Sequence, residues 1–154
     1  MLPLDQQPLV KVLRRLGLPA EDFAVFGSGP LVAHGIGEIS DLDLVARGQA
    51  WHKAREMGEL SMAPSGTRRL LLAGGDIEIF DRWFPGAGWN IDDLIDGADV
   101  VSGIRFVALQ EVLAWKRAMK REKDSEHIRL IEAHLSGPAA LDCQVCVSRR
   151  AVAR

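Results

Sequence analysis

Two aspartates separated by a single residue form the part of this sequence with the clearest chemical potential. Asp41 and Asp43 alternate with leucines in the run Ser-Asp-Leu-Asp-Leu that begins at Ser40. Because successive side chains of a β-strand point to opposite faces, both carboxylates would project from one face, with Cα atoms roughly 6.5 Å apart. Such a pair repels unless one member takes up a proton or a cation binds. Two Mg²⁺ ions bridged by the pair would suit phosphoryl or nucleotidyl transfer.

A glycine-rich turn precedes the two aspartates. Gly27, Ser28 and Gly29 follow a short apolar segment, and the proline that comes next suits the first turn of a helix. The Gly27 and Ser28 backbone amides and the Ser28 hydroxyl could hold the outer phosphates of a nucleoside triphosphate. The turn is not a Rossmann fingerprint, because Val32 stands where a third glycine is required, and no Gly-Lys-Ser/Thr follows to make a Walker A loop.

A third carboxylate is predicted on a later strand. The extended segments Arg68–Leu72 and Asp76–Phe80 are separated by Ala-Gly-Gly, which predicts a β-hairpin. Glu78 alternates with two isoleucines, so it would face the aspartate pair if its strand lies beside theirs. Asp76 is a weaker candidate because it is close to the turn, and Asp81 is weaker because it falls on the opposite face from Glu78.

Periodicity along the rest of the chain predicts an α/β (α+β) fold, in which helices flank a mixed sheet. The other strands are predicted at Phe23–Phe26, around Leu42 and Leu44, and at Val100–Val107 with a break at Ser102-Gly103. The helices are predicted at Asp5–Leu16, Pro30–His34, Gln49–Gly58, Ile91–Ile95, Leu109–Arg121 and Lys123–Leu135.

The last two predicted helices carry many basic residues. Their apolar residues are expected to cover the sheet, and Asp124 is expected to cap the final helix. The opposite face is predicted to be basic, with Lys116, Arg117, Lys120, Arg121 and Lys123. Two interpretations of this group stay open: a solvated surface or a functional one.

Size and charge limit the range of partners. The chain has 154 residues, which suits one domain over residues 1–137 followed by a loosely ordered tail over residues 138–154. Its net charge is −2, from 19 basic and 21 acidic residues, so we expect no extended nucleic-acid surface. No apolar run approaches the ~20 residues that cross a bilayer, and no signal-peptide pattern is present, so we expect a cytoplasmic protein without a membrane partner.

The two cysteines, Cys143 and Cys146, form a CxxC pattern in the tail. A redox pair would need a following helix in a thioredoxin-like unit, and a zinc site would need a second pair of ligands such as His127 and His134. Neither context is present in the sequence pattern. The cysteines are therefore expected to be reduced thiols.

The spacing of Gly27-Ser28 and Asp41-x-Asp43 resembles the signature of the polymerase-beta-type nucleotidyltransferase superfamily. The stretch Phe26–Val45 is similar to the minimal, single-domain bacterial members, and His34-Gly35 matches their pattern. Gly37 stands where those relatives commonly carry arginine. Downstream, Lys116 and the run Arg-Glu-Lys-Asp at residues 121–124 are similar to the C-terminal helix pair of the family.

The resemblance implies a function and a role for each motif. Asp41 and Asp43 would hold two Mg²⁺ ions, Glu78 would bind one of them or deprotonate the acceptor, and Lys116 and Lys123 would neutralise the triphosphate. A nucleoside triphosphate, with ATP as the expected donor, would give its monophosphate to a hydroxyl on a small molecule, an RNA end or a protein side chain. The alternative is a catalytically weak, toxin- or antitoxin-like protein that binds a nucleotide or a partner. A second copy or another protein would complete the acceptor site.

Overall fold

This computed structural model describes residues 2–84 and 88–137. These residues include seven strands and six α-helices. The strands are β1 (Phe23–Phe26), β2 (Leu42–Ala46), β3 (Glu59–Met62), β4 (Arg68–Leu72), β5 (Ile77–Phe80), β6 (Asp99–Val101) and β7 (Ile104–Phe106). The helices are α1 (Pro8–Leu16), α2 (Gly29–Ala33), α3 (Gly48–Met57), α4 (Ile91–Asp96), α5 (Leu109–Met119) and α6 (Ser125–Ser136). The cysteines and the predicted tail lie outside the described residues.

The strands form one mixed sheet in the order β3-β4-β5-β2-β1-β7-β6. β2 runs parallel to β5, and β1 runs parallel to β7, whereas the other neighbours are antiparallel. The predicted α/β fold with a mixed sheet and a C-terminal helix pair is thereby confirmed. No helix within the described ranges is both long and apolar enough to cross a bilayer.

Alternation along β2 sends its residues into two different cores. Leu42 and Leu44 pack with α1 and α3 on one face of the sheet. Val45 packs on the other face, against α2, α4, α5 and α6. Asp43 lies on the same face as Val45, since their positions differ by two residues. The candidate site is therefore on the side of the sheet that α5 and α6 cover.

The predicted elements agree with the structure to within about two residues at each end, except in three places. The first helix begins at Pro8 rather than Asp5, because a short 3₁₀ turn over Leu4–Gln6 precedes it. The break at Ser102-Gly103 is a turn between two antiparallel strands, β6 and β7, and both turn residues have positive φ angles. Strand β3 was not predicted: it lies at the sheet edge with Leu60 and Met62 exposed, so its burial has no alternation.

The Gly29→Ala substitution should destabilise the protein, because α2 packs tightly on β1 at this glycine. A Cβ atom on Gly29 would lie 2.4 Å from Cγ1 of Val25, well inside van der Waals contact. We expect a loss of about 2–3 kcal/mol in the free energy of unfolding, measured by urea denaturation. Gly35→Ala is the control for a substitution without a clash, since the Cβ meets no atom within 4 Å there. Its loss measures only the backbone strain of an alanine at a φ angle of +79°. A loss no larger than that of the control would show that α2 can shift away from β1.

Candidate active site

Asp43 and Glu78 lie side by side on two parallel strands. The register of β2 and β5 pairs Asp43 directly with Glu78, and their carboxyl groups hydrogen-bond to each other. Asp41 immediately precedes β2 and lines the same cleft as the other two carboxylates. Asp76, the weaker candidate, does not line this cleft, although its backbone carbonyl accepts a hydrogen bond of 2.8 Å from the Leu42 amide. The structure thus brings together Asp41, Asp43 and Glu78, as strand alternation predicted.

The Asp43 carboxyl group has an unusual affinity for its proton. Burial, followed by the charges of Asp41 and Glu78, raises the pKa of Asp43 from 3.8 to about 7, while the Lys116 ammonium acts in the opposite direction. The excess negative charge of the cluster is therefore only partly compensated by neighbouring cations. A bound cation would relieve this repulsion.

The glycine turn lies directly against the Asp43 carboxylate. Gly27 has a φ angle of +69°, and a Cβ atom there would lie 2.9 Å from Oδ2 of Asp43, so only glycine allows this approach. Ser28 occupies the N-cap position of α2, but its side chain makes no capping hydrogen bond. Neither residue is among those that line the cleft beside the carboxylates. Phosphate binding by Gly27 and Ser28 stays a prediction.

The cleft beside the carboxylates has a volume of about 510 Å³ and a mixed lining. One part of its wall is aromatic: the Trp83 ring stacks on Phe26 with centroids 4.2 Å apart, and Trp83 and Trp115 are 5.1 Å apart. The basic side chains of the lining are Arg69, Arg82, Arg121 and Lys123. Acidic and basic groups thus face one cavity, which suits a polyanion held through cations and arginines.

Lys116 does not lie on a solvated basic face. Its side chain is only 4% exposed, and its Nζ donates a hydrogen bond of 3.0 Å to Oδ1 of Asp124. The solvated interpretation is therefore wrong for Lys116, because Asp124, in the turn between α5 and α6, lies against its ammonium. A triphosphate contact by Lys116 stays a prediction, and in this structure its ammonium is paired with Asp124. Lys123, the other predicted phosphate ligand, lines the cleft.

Asp124 also differs from its predicted role as a helix cap. It occupies the N-cap position of α6, but its side chain makes no capping hydrogen bond. Arg121 Nε instead donates to its Oδ2 at 2.6 Å. Burial alone would raise the pKa of Asp124, but the hydrogen bonds from Arg121 and Lys116 outweigh it and lower the pKa. Asp124 therefore holds two cations together at the junction of α5 and α6.

Arg69 is a site residue that the sequence analysis missed. It lies on β4 and lines the cleft, and its Nη1 donates a hydrogen bond of 2.8 Å to Oε1 of Glu78. Register could have located it: β4 and β5 pair Arg69 with Phe80 and Leu71 with Glu78, so these four side chains share a face of the sheet. The predicted hairpin did not give this register: a turn limited to residues 73–75 would pair Leu72 with Asp76, whereas the structure pairs Leu72 with Ile77. A register shift of one residue reverses the faces, so the prediction would have put Arg68 on the face of Glu78.

The donor set of the cleft fits Mg²⁺. Mg²⁺ prefers oxygen ligands and is usually held by one or two carboxylates together with waters and substrate phosphates. Asp41 and Asp43 provide those carboxylates, and the raised pKa of Asp43 shows the charge that a cation would neutralise. Across residues 2–84 and 88–137, no three His, Cys, Asp or Glu side chains converge as a ready-made metal cage. Substrate phosphates would complete the coordination.

Comparison with known proteins supports the fold. The backbone is similar to the crystal structure of a "putative nucleotidyltransferase" from Thermotoga maritima, with a TM-score of 0.52 and 17% sequence identity. The similarity covers 79% of this chain and 90% of that one. No protein-family model matches the chain, and no curated protein matches it. The chain therefore has a nucleotidyltransferase-like fold, as its motifs implied.

Proposed function

We propose that this protein is a Mg²⁺-dependent nucleotidyltransferase that moves a nucleoside monophosphate from a nucleoside triphosphate to a hydroxyl acceptor. The observation that carries the proposal is the pairing of Asp43 with Glu78 on parallel strands, with Asp41 lining the same cleft. The nucleotidyltransferase-like fold supports it. ATP is the expected donor, and the acceptor is a small molecule, an RNA end or a protein side chain.

Each carboxylate has a distinct part in the proposed reaction. Asp41 and Asp43 would hold two Mg²⁺ ions, and Glu78 would bind one of them or accept the proton of the acceptor hydroxyl. When bound, the ions would neutralise phosphate charge and stabilise the attacking and leaving oxygens. The hydroxyl oxygen forms a bond to the α-phosphorus in line with the departing oxygen, and the bond to pyrophosphate breaks.

The basic residues of the cleft would act on the triphosphate. Lys123 lines the cleft. The contacts among the described residues assign no ion-pair partner to it, so it would not have to break an ion pair to contact a phosphate. The Lys116 ammonium is paired with Asp124, so it would act on the site through its charge on Asp43. It would contact a phosphate only if that ion pair opens. Gly27 and Ser28 would contribute backbone amides at the start of α2.

A second function, binding without turnover, is favoured by the present partner of Glu78. The Arg69 guanidinium holds Oε1 of Glu78 at 2.8 Å, and this ion pair competes with a metal ion or a proton for the carboxylate. In this case the protein would bind a nucleotide or a protein partner on the same fold. The two functions differ in whether pyrophosphate is released.

The two functions are distinguished by calorimetry with Mg²⁺ and each nucleoside triphosphate, followed by a pyrophosphate-release assay with candidate acceptors. For the enzyme we expect nucleotide binding that requires Mg²⁺, is weakened about tenfold or more by Asp41→Ala, and leads to pyrophosphate release. Asp41 is exposed, so the substitution should leave the fold intact. Asp76→Ala is the matched control, since Asp76 is also an exposed aspartate but lies outside the cleft lining.

The contrary results are equally specific. Mg²⁺-dependent binding without pyrophosphate release from any acceptor would favour the second function. Nucleotide binding that ignores both Mg²⁺ and Asp41→Ala would refute the metal site and the enzyme with it. An effect of Asp76→Ala equal to that of Asp41→Ala would mean that the third carboxylate had been misassigned.

A further inference from the structure

Arg69 is a basic side chain of the cleft that contacts the carboxylate cluster directly. From β4 its Nη1 contacts Oε1 of Glu78 at 2.8 Å, and Glu78 in turn hydrogen-bonds to Asp43. Both members of the ion pair are half-buried, with side-chain exposures of 21% for Arg69 and 27% for Glu78. A positive charge thus lies one carboxylate away from the aspartate pair.

The Arg69 guanidinium has unused hydrogen-bonding capacity. A guanidinium carries five N–H donors in a planar fork, which suits the oxygens of a carboxylate or a phosphate. The Nε atom of Arg69 is buried, and none of the described residues accepts a hydrogen bond from it. By contrast, Arg121 of the same cleft is bound to Asp124 at 2.6 Å and lies over the Trp115 ring. Arg69 is therefore better placed to accept a second anion.

Metal binding would change the balance of charge around Arg69. A divalent cation beside Asp41 and Asp43 attracts the Glu78 carboxylate and so competes with Arg69 for it. Once Glu78 turns towards the cation, the guanidinium faces a positive ion across a short distance and is repelled. A phosphate oxygen between the two would remove this repulsion and would use the free donors of the fork.

We propose that Arg69 is a phosphate-binding residue that exchanges partners, holding Glu78 before the metal binds and a phosphate group of the substrate afterwards. This inference rests on the proposed function. The substrate group is identified by its chemistry as a phosphate of a polyphosphate chain bound together with Mg²⁺. The ion pair keeps Glu78 oriented towards Asp43 until the cation arrives.

The test uses two probes in separate titrations, Mg²⁺ alone and inorganic tripolyphosphate at saturating Mg²⁺. In Arg69→Ala we expect Mg²⁺ to bind about threefold or more tightly, because Glu78 has lost its competing cation. Tripolyphosphate should bind about tenfold or more weakly, because a charge-assisted pair of hydrogen bonds is lost. Changes of opposite sign are the signature of partner exchange, since a merely structural defect would weaken both.

Two further variants sharpen the test. Arg69→Lys keeps the charge but not the fork, so its tripolyphosphate affinity should lie between those of the wild type and Arg69→Ala. Arg68→Ala is the matched control: Arg68 is the preceding residue on β4, it pairs with Asp81, and it lies outside the cleft lining. It should change either affinity by less than about twofold, since its charge is exposed and screened.

The possible failures are distinguishable. If wild-type protein binds neither Mg²⁺ nor tripolyphosphate, the proposed function fails and the role of Arg69 falls with it. If the wild type binds both probes but Arg69→Ala weakens both or leaves tripolyphosphate unchanged, only the partner exchange is overturned. If Arg68→Ala and Arg69→Ala weaken tripolyphosphate binding equally, Arg69 acts only through its general positive charge. That result would also overturn the partner exchange.

Discussion

Asp43→Asn should make the protein more stable above pH 7 and remove the transferase activity that we propose for it. The pKa of Asp43 is raised from 3.8 to about 7 by burial and by two neighbouring carboxylates, so its ionisation costs stability in the folded state. Folded wild-type protein keeps this proton between about pH 4 and pH 7 while the unfolded chain loses it, so wild-type stability falls as the pH rises through this window. Asparagine is neutral throughout and avoids the loss.

The expected gain can be measured by urea unfolding in the presence of a chelator. At pH 8 we expect Asp43→Asn to unfold with about 1–3 kcal/mol more free energy than wild type, and the gain should shrink as the pH falls towards 4. Adding Mg²⁺ should stabilise the wild type at pH 8 but not the variant. Transfer should fall at least about 10³-fold, since the metal contributes several kcal/mol to the transition state.

Asp41→Asn is the control for this pair of effects. Asp41 is exposed, so its carboxylate is solvated and its removal should stabilise the protein much less than Asp43→Asn does. A gain for Asp43→Asn that is the same at pH 5 and pH 8 would contradict an origin in ionisation. If the proposed transferase activity is found and Asp43→Asn leaves it unchanged, Asp43 does not belong to the proposed metal site.

Lys116→Met should cause a large loss of stability, because it removes one partner of a buried ion pair. Lys116 and Asp124 have side-chain exposures of 4% each and are 3.0 Å apart. Breaking a buried pair typically costs about 3–5 kcal/mol, and we expect the lower end because Arg121 remains beside Asp124. Methionine keeps the length of the side chain, so packing changes little. Urea unfolding at pH 7 measures the loss.

The neighbouring residue on α5 supplies the control for Lys116→Met. Arg117 forms an ion pair of 3.5 Å with Glu132, but both side chains are at least half exposed, so Arg117→Ala should cost less than about 1 kcal/mol. The double variant Lys116→Met with Asp124→Asn should recover part of the loss, since no buried charge is then left without its partner. Equal losses for Lys116→Met and Arg117→Ala would mean that the pair contributes little.

Local signals made the centre of the site predictable. The alternation around Asp43 and Glu78 and the glycine turn at Gly27 each depend on fewer than about six consecutive residues, which is the range over which strand and turn preferences act. They predicted which face of its own strand each carboxylate occupies, and the structure shows that the two strands pair Asp43 with Glu78. That the strands are adjacent was an assumption of the sequence argument, and the sheet order confirms it.

The rest of the site depends on contacts between distant residues. Lys116 looks like a surface lysine until Asp124 and Arg121 are folded over it. Arg69 looks like one of two adjacent exposed arginines until the hairpin register directs it towards Glu78. Strand β3 has apolar residues that remain exposed at the edge, so hydrophobic pattern gives no reason to expect it.

The one-to-one pairing of β2 with β5 also ties activity to correct folding. In the chain, α3, β3 and β4 lie between Asp43 and Glu78, so the pairing of these two residues is a long-range contact of the kind that slows folding. A shift of β5 by one residue would bury Glu78 and turn Ile77 and Ile79 into the cleft. A chain misfolded in this way would lose the third carboxylate from the cleft. It would also expose an apolar surface there. The proposed activity would thus report on the register of β2 against β5.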